Sequence, residues 1–150
     1  MDLILWRHAD AVDGTPDLAR ELTVKGRKQA EQIAHWLRPK LPGQTRIIVS
    51  PARRTLQTVR FLTEDFEVLR DLAPGAPVSA VLAAANWPDH AGAVLVVGHQ
   101  PTLGMVAATL IAGEPMPWSI KKGGVWWLSH RVRGEQPQVV VRAVLTPDLL

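Results

Sequence analysis

A chain of 150 residues has room for one domain, residues 1–150, with a core of its own. Its 47% hydrophobic and 21% charged residues argue against wholesale disorder, and the absence of cysteine and tyrosine excludes disulfides, thiolate metal sites and cysteine or phenol nucleophiles. A net charge of +3 suits an anionic ligand but is too small to argue for nucleic acid, so no nucleic-acid partner is expected.

Leu3–Trp6 is the whole apolar run before Arg7. A secretory h-region needs about 7–15 apolar residues, and a membrane span about 18 or more. The expectation is a soluble cytoplasmic protein with no membrane partner.

In chain order, Leu3–Trp6 reads as a buried strand, followed by a polar loop from Asp10 to Glu21. Thr23 has the chemistry of an N-cap. Ala30, Ile33, Ala34 and Leu37 then follow helical spacing, so Thr23–Arg38 is predicted as an amphipathic helix stopped by Pro39. Ile47–Val49 is a second strand. Ser50-Pro51 reads as cap and first-turn proline of a helix whose apolar face is Ala52, Leu56, Val59 and Leu62. Phe66–Leu69 is a weaker third strand. Val78, Val81, Leu82 and Ala85 mark a helix, and Val94–Val97 a fourth strand stopped by Gly98. Pro101 opens a helix with Leu103, Val106, Ala107 and Leu110 inward. Val125–Leu128 and Val139–Val144 are the last strands, one of them expected to be antiparallel, and the tail from Thr146 reads as loose. This alternation predicts an α/β fold, a three-layer α/β/α sandwich on a mostly parallel six-stranded sheet.

In such sheets ligands bind beyond the carboxyl ends of the strands. Strand one ends in Arg7-His8, strand two in Ser50-Pro51-Ala52-Arg53-Arg54, and strand four in Gly98-His99-Gln100-Pro101. Two histidines and at least two arginines therefore converge on one edge. Arginine in the first turn of a helix opposes the macrodipole, and clustered cations repel unless an anion joins them. The planar guanidinium fork matches phosphate oxygens. A phosphoryl group is the simplest occupant. A neutral imidazole among arginines can attack phosphorus while its companion donates to the equatorial oxygens.

These residues carry a resemblance. Leu5-Trp6-Arg7-His8 resembles the Arg-His motif that opens the histidine phosphatase superfamily, to which phosphoglycerate mutases and acid phosphatases belong. Ser50-Pro51-Ala52-Arg53-Arg54-Thr55-Leu56-Gln57-Thr58 resembles its Ser-Pro-x-x-Arg-x-x-Gln-Thr segment. Val97-Gly98-His99-Gln100-Pro101 resembles the second-histidine segment, and Leu22-Thr23-Val24-Lys25-Gly26 its Leu-Thr-x-x-Gly helix start. The short connection between the third and fourth strands is similar to the SixA-like phosphohistidine phosphatases, the minimal branch. The resemblance implies a phosphoglycerate mutase-like fold, with His8 as the phosphorylated nucleophile. It implies that Arg7, Arg54 and His99 bind the phosphoryl oxygens, with Arg54 rather than Arg53 in the pocket. It implies no cofactor.

There are two departures. Ala9 stands where the family has glycine, which makes a positive φ less comfortable. No carboxylate sits in a recognisable acid motif; Asp71, and with less support Glu64 or Asp65, are the nearest candidates for a proton donor, and 72–86 holds none. An alkoxide leaving group needs such a donor, whereas the P–N bond of phosphohistidine is labile once the ring is protonated. The expectation is therefore a metal-independent phosphohistidine phosphatase acting on a phosphorylated protein through an uncovered site. The alternatives are a phosphatase of small phosphate esters and a catalytically weak phosphate-binding module. The oligomeric state is open, with a monomer compatible.

Other polar residues have ordinary readings. A metal bound by His8 and Asp10 would lie against the charge of Arg7, so none is expected. Asp10 and Asp13 read as loop polarity or partners orienting Arg7 or His8. Arg53 reads as a solvated neighbour or rim contact, His35 as surface, and His90 and His130 as lying in or near loops without a role. Lys121-Lys122-Gly123-Gly124 reads as a basic turn with one glycine near the pocket. Trp126 and Trp127 should face opposite sides of a strand, and Trp118 is a candidate exposed partner surface.

Overall fold

In the computed structural model, which describes residues 1–150, a six-stranded sheet runs in the order β3-β2-β4-β1-β5-β6. The strands are β1 Asp2–Arg7, β2 Arg46–Val49, β3 Glu67–Val68, β4 Ala93–Gly98, β5 Val125–Arg133 and β6 Gln136–Leu145. The first four are mutually parallel; β5 pairs antiparallel with β1, and β6 antiparallel with β5. One antiparallel strand in a mostly parallel sheet is what the missing helix between the last two strands implies. The helices are α1 Val24–Leu37, α2 Arg53–Arg60, α3 Val78–Ala84 and α4 Thr102–Ala112.

Strand periodicity builds a core on each face. Leu3 and Leu5 of β1 and Val94 and Val96 of β4 pack with Val81, Leu103, Val106 and Ala107 of α3 and α4. Ile4, Trp6, Leu95 and Val97 face the other way, onto Ile33, Ala34 and Leu37 of α1 and Val59 of α2. Trp126 joins the first core and Trp127 the second, as their adjacency on one strand requires. The connections from β1 and from β4 leave in opposite directions, β1 through α1 to β2 and β4 through α4 to β5. The gap above β1 and β4 is thus the topological switch point of the sheet.

Several local expectations need correction. α2 starts at Arg53 with Ala52 as N-cap, so Ser50-Pro51 lies outside the helix. Its buried residues are Arg54, Thr55, Thr58 and Val59, so polar side chains share the inward face with the expected apolar ones; Leu56 and, beyond the helix end, Leu62 pack partly buried against the α1–α2 core. A helix can bury polar side chains when each finds partners; Thr55 donates to Ser50 O (2.9 Å) and Ala52 O (2.7 Å). The last strands are longer than predicted because their outer halves pair with each other rather than with a core. The tail is not loose: a short 3-10 turn at Pro147–Leu149 folds back with Pro147 buried. His130 lies within β5 with its ring 5.5 Å from Trp87, not in a loop. Trp118 is half-buried, 5.7 Å from Trp126.

Candidate active site

The cluster is assembled by backbone pairing before any side chain contributes. Arg7 and Gly98 are in register on β1 and β4, and His8 N–H donates to Gly98 O at 3.1 Å. His8 and His99 therefore leave adjacent strands side by side, with ring centroids 5.3 Å apart. Ser50 N–H donates to Val97 O at 3.1 Å, which places the start of the β2–α2 connection beside His99. Arg54, one turn along, is 4% exposed and sets its Nη2 3.3 Å from His99 Nδ1. The structure thus brings together Arg7, His8, Arg54 and His99. Arg53 points away, exposed and paired with Glu21 at 3.3 Å.

The hydrogen bonds assign the protons. His8 Nδ1 donates to Ala9 O at 2.7 Å, leaving the lone pair on Nε2. Arg54 can only donate, so the Nδ1 lone pair of His99 faces it, and His99 Nε2–H donates to Ser50 Oγ at 2.7 Å. Burial, reinforced by the charges of Arg54 and Arg7, pushes the His8 pKa down to about 4. Burial and then the neighbouring His8, Arg54 and Arg7 push His99 down to about 3. Both rings are neutral near pH 7, as a nucleophilic imidazole must be.

Both arginines are held but not exhausted. Arg7 Nη1 donates to Ile120 O at 2.8 Å; Arg54 donates to Asp17 O (2.8 Å) and Asp17 Oδ2 (3.1 Å). The Nε–H of each is buried with no acceptor in the protein. Burial and the charge of Arg54 lower the pKa of Arg7. Two crowded guanidiniums with unused donors are suited to a tetrahedral oxyanion.

Asp17 was invisible to motif reasoning. It lies in a 3-10 turn, Asp17–Ala19, in the loop after β1, and its carboxylate is the one hydrogen-bonded to the cluster. Hydrogen bonds from Arg20 and Arg54 hold it below the ordinary carboxylate range, so it is an anion and not a ready proton donor. The sequence signal was an acid preceding Arg20 in a proline-containing loop, which is too common to single out. The carboxyl candidates do not join the cluster. Asp71 is exposed on a 3-10 turn at Arg70–Leu72, Glu64 pairs with Arg60 at 3.7 Å, and Asp65 is exposed. Asp10 and Asp13 orient neither Arg7 nor His8. Asp10 accepts from Thr23 Oγ1 and Lys122 Nζ, each at 2.8 Å, and Asp13 lies 3.9 Å from Arg20.

Other motif residues serve the scaffold. Thr58 Oγ1 accepts from Ala9 N–H at 3.1 Å, and Gln57 Oε1 from Leu22 N–H at 2.7 Å, tying α2 to the loop after His8. Gln100 bridges Gly104 N–H (2.7 Å) and Trp118 O (2.8 Å). Ala9 is fully buried and is not among the residues with positive φ, so the alanine in place of glycine fits without strain. The Lys121–Gly124 turn touches the site through its backbone: Gly123 N–H donates to His8 O at 3.0 Å, and Gly124 O accepts from Arg7 N–H at 3.0 Å.

The chain is similar to known proteins in sequence and in fold. Residues 3–74 match the family model of the histidine phosphatase superfamily (branch 1). Phosphohistidine phosphatase SixA of Escherichia coli is 33% identical over 126 residues, covering 78% of each chain. A SixA homolog of Haemophilus influenzae is 30% identical over 73% of this chain and 77% of its own. The structure of the protein histidine phosphatase SixA complexed with tungstate superimposes with a TM-score of 0.77 and 26% identity, covering 99% of both chains. The chain belongs to the histidine phosphatase superfamily, in its SixA-like branch.

Proposed function

We propose that this hydrolase removes the phosphoryl group from phosphohistidine on a protein, through a phosphohistidine intermediate on His8. The neutral His8 Nε2 attacks phosphorus in line, forming its own P–N bond as the substrate's P–N bond breaks. The departing imidazole keeps that electron pair, its ring having taken a proton from solvent. Water then attacks the phosphoryl group on His8, releasing inorganic phosphate and restoring the imidazole. Arg7 and Arg54 neutralise the equatorial oxygens, where charge is spread in the transition state. That a SixA relative of the same fold forms a complex with tungstate, itself an oxyanion, supports this reading.

The observation that carries the substrate reading is the state of the carboxylates. The acid that touches the cluster, Asp17, is ionised and engaged by Arg54 and Arg20, and Asp71, Glu64 and Asp65 stay outside it. A site without a proton donor suits an imidazole leaving group and not an alkoxide.

The test is turnover of a phosphohistidine-bearing protein against simple alkyl phosphates. Phosphohistidine should be the better substrate by orders of magnitude, and efficient alkyl ester cleavage with phosphohistidine untouched overturns the reading. His8→Ala should abolish turnover while largely sparing phosphate affinity. Retained turnover removes the proposed nucleophile, and wild-type phosphate binding without turnover would favour a binding module.

A further inference from the structure

Beside the cluster, on its β5–β6 side, lies a cleft of about 650 Å³ lined by Arg7, Lys25, Lys28, Gln29, Lys121 and Lys122, with Pro147 and Asp148 on its far wall. Three chain segments build it at the edge where β1 ends. α1 begins there after the loop that follows His8. β5 starts opposite Trp6, which brings the Lys121–Gly124 turn to Arg7. β6 ends opposite Val125, which returns Pro147 to the same edge. The walls are in close contact: a Cβ on Gly123, whose φ is +73°, would lie 2.9 Å from Pro147 Cγ and 3.3 Å from Gln29 Cβ. The turn is also pinned by Trp6 Nε1–H to Gly123 O at 3.1 Å. The cleft is therefore preformed.

Its charge is one-sided. Of the four lysines, Lys122 is held by Asp10 at 2.8 Å, while Lys25, Lys28 and Lys121 are exposed and make no ion pair. Asp148 is the single carboxylate in the lining, and no aromatic side chain lines it to serve as a stacking platform for nucleobases. The concave shape and the polar, charged lining do not suit a lipid surface. Arg7 belongs both to this lining and to the phosphoryl-binding cluster, so whatever occupies the cleft is continuous with the reacting group.

We propose that the cleft is a specificity subsite for carboxylates flanking the phosphohistidine of the protein substrate, held by Lys25, Lys28 and Lys121. This rests on the phosphohistidine reading above. Like charges fixed on a preformed surface are relieved by an anionic partner, and the relief falls with salt.

The test uses two peptides with the same central phosphohistidine, one flanked by glutamates and one by glutamines. The wild-type protein should favour the acidic peptide by about tenfold in kcat/KM at low salt, through KM, and lose most of that preference by 0.5 M salt. In Lys25→Gln/Lys28→Gln/Lys121→Gln the preference should fall to about onefold to twofold. Arg131→Gln/Arg133→Gln removes exposed charge from the opposite end of β5 and should keep it. Lys25→Glu/Lys28→Glu should invert it, favouring the glutamine peptide. Equal handling of the two peptides by the wild type, or a preference that survives in the triple lysine variant, overturns the inference while leaving the phosphohistidine reading standing. Turnover of neither peptide overturns both.

Discussion

The two histidines differ in what holds them. His8 is oriented by a backbone carbonyl, which accepts and never donates, so its tautomer is locked with the Nε2 lone pair free. His99 is oriented by Ser50, whose hydroxyl can accept from Nε2–H or donate to bare Nε2. When an oxyanion engages Arg54, the hydroxyl can reverse, leaving Nδ1–H free to donate to that anion. In the proposed reaction Ser50 is thus a positioning residue. Ser50→Ala should lower kcat about tenfold or more, and ¹⁵N NMR of the His99 ring should show loss of the single tautomer. Unchanged spectra would remove this role. Neutral buried rings also couple folding to pH. In the unfolded chain both histidines protonate near 6.5, in the folded protein only near 4 and 3, so acid favours unfolding. Stability is full above about pH 6.5 and falls as pH drops toward 4, by up to about 1.4 kcal/mol per pH unit per histidine. Urea midpoints between pH 7.5 and 4.5 measure this, and His99→Asn should flatten the dependence.

At the scale of elements, α1 illustrates what local sequence encodes well. Thr23 Oγ1 accepts from Gly26 N–H at 2.9 Å, as the N-cap reading requires, and the same hydroxyl donates to Asp10. Thr23→Ala should cost about 1 kcal/mol or more by urea denaturation, since the cap and the tie to the loop after His8 go together. Gly26 has a tertiary reason: a Cβ there would lie 2.0 Å from Asp10 O, so the helix start and that loop are in backbone contact. α2 shows the opposite. Its first turn carries Arg53 and Arg54 against the helix dipole, and three of its four buried residues are polar, so the Ser50-Pro51 signature misplaced its start and apolar periodicity found only part of its inner surface. That conflict is the local mark of a candidate binding site, because an anion there would relieve what the helix dipole opposes.

For the whole molecule, the sheet is the scaffold that fixes the spacing of the cluster. β4 is buried along its whole length and lies between β2 and β1, so it holds both neighbours. Leu95→Ala, in the α1–α2 core, should cost about 2–5 kcal/mol by urea denaturation. Activity measured well below the melting temperature should be largely kept, since Leu95 lies at mid-strand, away from the strand ends that carry the cluster. The outer half of the β5–β6 hairpin is exposed and points to the far edge.

Composition, strand and helix order and the four ordered motifs were all legible in the sequence, because each depends on neighbours a few residues apart. So was the set Arg7, His8, Arg54 and His99, since every strand that could carry a ligand group ends in a readable segment. The strand order was not legible. Placing β1 beside β4, and so His8 beside His99, depends on pairing across about 90 residues, which no local period encodes. Asp17 on Arg54, Ser50 on His99 and the basic cleft beside Arg7 have the same origin. Each joins segments that meet only when the sheet closes, and there burial and crowded charge turn ordinary polar residues into a site.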